Sequence, residues 1–158
     1  SGARVSLVGW SLGGVYARML AAEHTEEVRD VITLGSPFVG SGHATNAWKI
    51  YEAVSGQSAD DEARWSQVRP TPAVPTTSIY SRTDGVVAWQ GSIQSAQTGH
   101  AQTENIEVIA SHIGIGVNPS ALWAVADRLA QREGAWQAFQ RPTLLGAQHL
   151  LYPKPQQG

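Results

Sequence analysis

The chain has 158 residues and a net charge of −2, with 15% of its residues charged and no cysteine. With no run of Lys or Arg, it carries no electrostatic footprint for nucleic acid or an anionic membrane surface, which points to a neutral substrate. Lacking cysteine, it has no thiol nucleophile, no cysteine zinc site and no disulfide, and the compartment stays open.

Arg4 to Gly9 reads as a short, buried parallel strand, and Leu12 to about Glu23 as an amphipathic helix whose apolar positions are Leu12, Val15, Tyr16, Met19 and Leu20. Between them Gly9-Trp10-Ser11-Leu12-Gly13 has the Gly-x-Ser-x-Gly spacing of a sharp strand-to-helix turn, where flanking glycines keep side chains from colliding with the opposite arm. Ser11 sits on the corner as a candidate nucleophile, and the Leu12 amide can help hold an oxyanion at the helix amino end. Ser1-Gly2-Ala3 leads straight into this strand, so earlier strands and an amino-terminal part are expected to be missing.

Val28 to Leu34 reads as a second strand, ended by Gly35-Ser36-Pro37, adjacent and parallel to the first through a right-handed crossover. Phe38 to Pro75 has the texture of an insertion, with helices expected at 46–54 and 59–68 and a proline-stiffened exit. Following the carboxyl end of a strand, it would lie over the site as a cap. Its Trp48, Tyr51 and Trp65 suit either the cap's own small core or the lining of an acyl pocket, as Trp10 does beside the serine.

Thr76 to Tyr80 alternates as a third strand and ends in Ser81-Arg82-Thr83-Asp84-Gly85, where Val86 to Trp89 can anchor the turn and hold the Asp84 carboxylate. Residues 90–103 read as loop with one short helix. A fourth strand is expected around Ile106, Val108 and Ile109, followed by His112 in the loop at its carboxyl end. The other histidines fit surface roles: His24, His43, His100 and His149 lie at a helix end, in the cap, in a loop and in the tail. Asn118-Pro119 caps the last helix, with Leu122, Val125, Ala126 and Leu129 on its apolar face and Gly134 marking its end. The domain spans 1–140, and the Pro- and Gln-containing tail over 141–158 is expected to be poorly ordered.

Ser11, Asp84 and His112 each follow the carboxyl end of a strand, and in an open parallel sheet those ends gather along one edge. A serine hydroxyl needs a base within hydrogen-bond reach, and the base needs a partner to fix its tautomer; His112 and Asp84 supply both.

These stretches, with Thr33-Leu34-Gly35-Ser36-Pro37 and Ser111-His112-Ile113-Gly114, resemble the carboxyl-terminal half of an α/β-hydrolase of the lipase/esterase kind, in the order serine, aspartate, histidine. The resemblance implies a partial α/β-hydrolase fold: a mainly parallel sheet of about four strands flanked by helices, with the cap at 38–75. It implies Ser11 as nucleophile, His112 as general base, Asp84 as triad acid and Leu12 as one oxyanion donor, acting on a neutral acyl ester or lipid without metal or cofactor. Thioesterase and acyltransferase chemistry share this machinery. The alternative is a non-catalytic fragment, inert alone or acting by pairing its exposed strand 4–9 with another chain. No stretch approaches the roughly 20 apolar residues of a membrane span.

Overall fold

In the computed structural model, which describes residues 2–39, 70–94, 100–142 and 152–153, Val5–Trp10 forms β1, Leu12–Glu23 α1 and Val28–Leu34 β2. Thr76–Tyr80 forms β3, Thr103–Glu107 β4 and Pro119–Ala130 α2. The strands make one parallel sheet in the order β1-β2-β3-β4, with Leu7 beside Val31, Leu34 beside Ile79 and Ile79 beside Ile106. This is the partial, parallel architecture expected. Most of the expected cap, with Trp48, Tyr51 and both of its helices, lies outside the described residues.

The sheet divides its apolar side chains between two faces, as the period-2 pleat requires. Val28, Val31 and Val74 pack with Ala17 and Ala21 of α1. Ile32, Leu34, Ile79, Ile106 and Val108 pack with Ala121 and Ala124 of α2 on the other face. Small residues at both helix faces bring the helix backbones close to the sheet. Asn118 caps α2 as expected, its Oδ1 accepting from the amides of Ser120 and Ala121.

Four details depart from the expected pattern. β4 begins earlier than the apolar run suggested and ends before Val108, because its polar residues have partners. Thr77 Oγ1 donates to Glu104 Oε1 at 3.0 Å, and Asn105 exchanges hydrogen bonds with the Gln94 backbone. In α2 the buried positions are Ser120, Ala121, Ala124 and Arg128, while Leu122, Trp123 and Leu129 are exposed. Arg128 is held inward by Glu104, at 2.7 Å, and by Asp127. In α1, Tyr16 and Leu20 are likewise exposed, and the buried positions are Gly14, Val15, Ala17, Arg18 and Ala21. From the tail, Tyr152 enters the core, 1% exposed, with its hydroxyl donating to the Ser120 carbonyl at 2.7 Å.

Arg18 is buried on α1 with its guanidinium 4.0 Å from the Phe38 ring centroid, and it donates to the Pro70 carbonyl at 2.9 Å. Burial pushes its pKa down to about 9, so it remains a cation at neutral pH. One side chain thus joins the point where the chain leaves the sheet after β2 to the point where it returns before β3. Among the described residues no helix is long and apolar enough to cross a membrane.

Candidate active site

The turn from β1 into α1 forces Ser11 into φ 52° and ψ −124°, the one positive φ at a non-glycine residue among those described. Such a conformation costs roughly 1–3 kcal/mol and persists only where its surroundings impose it. Here they do. The Ser11 amide donates to the Leu34 carbonyl of β2 at 2.9 Å, and the Ser11 carbonyl accepts from the Gly14 amide at 3.1 Å.

Glycines make the turn possible, though not the pair the motif suggests. A Cβ at Gly9 would land on the Gly13 carbonyl and Gly14 amide, whereas at Gly13 it would meet no described atom within 4 Å. The second crowded position is Gly14, where a Cβ would lie 2.8 Å from Ser36 Cβ and still nearer its hydroxyl. The helix passes this close to the end of β2 because nothing but hydrogen separates them there.

Ser11, His112 and Asp84 are brought together. Ser11 Oγ lies 2.9 Å from His112 Nε2, and His112 Nδ1 lies 2.8 Å from Asp84 Oδ2. His112 is 6% exposed and Asp84 5%, so the contacts between them are shielded from water. Asp84 is fixed by its own turn, with Oδ1 accepting from the amides of Val86, at 3.0 Å, and Val87, at 2.7 Å. Its remaining oxygen is left for the histidine. The His112 amide donates to the Asp84 carbonyl at 2.9 Å, which locks the two loops in register. A proton on Nδ1 satisfies this arrangement, leaving Nε2 free to accept from the serine hydroxyl.

Two contributions to the site were not legible in the sequence. Gly35, read there as a strand stop, has φ 53°, and a Cβ on it would approach Asp84 Oδ2 to 3.0 Å and His112 Nδ1 to 3.5 Å. The residue is bare where the carboxylate meets the ring. Trp10, expected to touch substrate, turns its indole N–H onto the His112 carbonyl at 3.0 Å, with the two rings 5.7 Å apart. Strand β1 therefore holds both ends of the serine–histidine contact. Further braces tie the aspartate and histidine loops: Ser81 Oγ accepts from the Ala110 amide and Thr83 Oγ1 donates to the Ala110 carbonyl, both at 3.1 Å. Leu12 opens α1, so its amide is one of the first-turn donors that a helix cannot satisfy itself.

Arranged this way, the three side chains can pass a proton from a hydroxyl to an imidazole backed by a carboxylate, at a helix amino end that favours negative charge. A family model described as the alpha/beta hydrolase family matches residues 1–157. The esterase domain of a Rhodothermus marinus protein is similar in structure, at 24% identity and TM-score 0.51, over 68% of this chain and 50% of that one. An enol-lactonase from Burkholderia xenovorans LB400 is similar at 18% identity and TM-score 0.55, over 82% of this chain and 67% of that one. At these identities the likeness concerns the fold, and the chain spans half the length of the esterase domain. No curated protein matches it.

Proposed function

The chain belongs to the alpha/beta hydrolase family, and from that premise we propose that it is a serine hydrolase cleaving a neutral carboxylic ester, linear or cyclic, through an acyl-enzyme on Ser11. The observation that carries this reading is the hydrogen-bonded line from Ser11 through His112 to Asp84, with the serine on a strained turn at a helix amino end.

In this mechanism Ser11 Oγ attacks the ester carbonyl carbon as its proton passes to His112 Nε2. Asp84 accepts the Nδ1–H bond and stabilises the imidazolium that forms. The carbonyl oxygen, now negative, accepts a hydrogen bond from the Leu12 amide. Collapse breaks the bond to the leaving alkoxide, which His112 protonates from Nε2, leaving an ester on Ser11. Water then attacks that ester while His112 takes its proton, and the acid departs with Ser11 restored. Trp10 and Ile113, both exposed beside His112, give the entrance an apolar character suited to an uncharged acyl group. Thioesters and acyl transfer would use the same steps with a different leaving group or acceptor.

The test is hydrolysis of p-nitrophenyl esters of increasing chain length, with labelling by a fluorophosphonate probe, on the chain and on Ser11→Ala. Ser11-dependent turnover and labelling are expected. A folded chain that turns over esters equally well after Ser11→Ala would refute the assignment.

The second reading, a chain that acts by pairing rather than catalysis, is favoured by β1. It is an edge of the described sheet, and Val5 and Val8 along it are about half exposed. A concentration-independent monomer in sedimentation would count against that reading.

A further inference from the structure

Asp84 stands on a turn whose two arms have different supports. Its Oδ1 accepts from the amides of Val86 and Val87 on the outgoing arm, while its Oδ2 meets His112 Nδ1. The histidine loop is tied to the incoming arm, through Ser81 and Thr83 to Ala110 and through the His112 amide to the Asp84 carbonyl. The direction in which the carboxylate presents Oδ2 therefore depends on how the outgoing arm sits against the incoming one.

Four side chains join the arms to the sheet. Arg82, on the incoming arm, lays its guanidinium over the Trp89 ring on the outgoing arm, 4.4 Å from the ring centroid. Trp89 also stacks with Tyr80 at the end of β3, with centroids 6.0 Å apart and planes at 27°. Glu107, the last residue of β4, closes the ring of contacts: its Oε1 lies 3.2 Å from Arg82 Nε, and its Oε2 accepts from the Tyr80 hydroxyl at 3.2 Å. The Glu107 side chain is 8% exposed and that of Arg82 33%. A buried carboxylate needs such partners, and this need fixes Arg82 where it covers the indole. None of the four takes part in the proton path from Ser11 to Asp84.

We propose that Arg82 is a positioning residue for the reaction: by clasping Trp89 it holds the outgoing arm, and with it the Asp84 carboxylate, in line with His112 Nδ1. The proposal rests on the catalytic reading of Ser11, His112 and Asp84. A guanidinium suits the place because its flat face stacks on the indole while its edge donates to Glu107. Lysine would keep the charge with a smaller contact. When the clasp opens, the Val86 and Val87 amides and Oδ1 turn together, so Asp84 stays satisfied on its own turn while Oδ2 drifts from the imidazole. The loss falls on the step in which the imidazolium forms rather than on substrate binding.

Steady-state ester hydrolysis and proton NMR on the whole chain test it. Arg82→Gln and Trp89→Leu should each lower kcat roughly fivefold, the rate equivalent of one cation–π contact, with KM little changed. The double variant should lose no more than either single one, because both open the same clasp. Arg82→Lys should recover part of the loss. The second readout needs no turnover: the Nδ1 proton of His112, donated to Asp84 and shielded from water, should give a sharp downfield resonance in Ser11→Ala that broadens or moves upfield when Arg82→Gln is added. Trp89→Leu leaves Glu107 paired and carries the test if Arg82→Gln fails to fold. Unaltered kcat and resonance in a folded clasp variant, losses that multiply in the double variant, a raised KM in place of a lowered kcat, or no recovery with Arg82→Lys would each overturn the proposal. A folded chain without Ser11-dependent turnover would overturn the catalytic reading instead, and the resonance would still decide whether Arg82 orients Asp84.

Discussion

Replacing Trp10 by Phe separates two roles for the residue beside Ser11. The ring is half exposed, and its one polar contact is the indole N–H donated to the His112 carbonyl at 3.0 Å. Phenylalanine keeps most of the apolar surface and loses that bond alone. A neutral hydrogen bond contributes about 0.5–1.5 kcal/mol net, which corresponds to roughly a 2- to 13-fold change in rate if the bond orients the histidine in the transition state. Steady-state hydrolysis of p-nitrophenyl butyrate should show that loss in kcat with KM little changed, and the urea midpoint should stay near the parent value. His112 would still reach Ser11, only less often in line. The opposite split, a raised KM at constant kcat, would mean that the indole N–H serves substrate binding rather than the orientation of His112, and would refute the positioning argument.

Gly9→Ala should fail to fold or lose more than about 2 kcal/mol by urea unfolding, since the new methyl group would overlap backbone rather than a movable side chain. Gly13→Ala should be tolerated or slightly stabilising, because alanine favours the helix by about 1 kcal/mol over glycine. Asp84→Asn should retain the fold and lose activity by roughly 10⁴-fold, the scale seen when a histidine loses the carboxylate that sets its tautomer. Alkaline unfolding should reflect Tyr80 and Tyr152, whose pKa values lie above the ordinary 10.0, chiefly because burial disfavours the phenolate. Each contributes stability that is complete below that value and lost as pH rises through its higher folded value. Tyr152→Phe should flatten the decline above pH 10, measured as the urea midpoint against pH; an unchanged slope would contradict it.

Much of this was visible in the sequence because the elements that carry the site have strong periods. Val28–Leu34 and Thr76–Tyr80 are strands where β-branched residues run between turn residues, and Leu12–Glu23 is a helix where apolar spacing follows a glycine turn. Their carboxyl ends had to share an edge, which is why Ser11, Asp84 and His112 could be named together. Other features were illegible because they depend on partners distant in sequence. Glu104 belongs to a strand because Thr77 and Arg128 satisfy it, and Arg128 faces inward for the same reason. Gly35 matters only once the Asp84 and His112 side chains stand over it. Gly14 is needed where Ser36 approaches from the next strand, a contact no local pattern records. Tyr152 looked like tail because its partner is the carbonyl of Ser120, at the start of α2.

Arg18 has a consequence for how such a chain can change over generations. The ring of Phe38 and the carbonyl of Pro70 meet at one guanidinium, and the amides of Phe38 and Val39 donate to the Gly91 carbonyl, so the two ends of this segment are fixed beside each other. Closing a longer loop costs little, about 0.6 kcal/mol for each doubling of length. Inserts could therefore be exchanged, shortened or extended at this point while β1, β2 and β3 keep their register. Such changes would leave the arrangement of Ser11, His112 and Asp84 as it is.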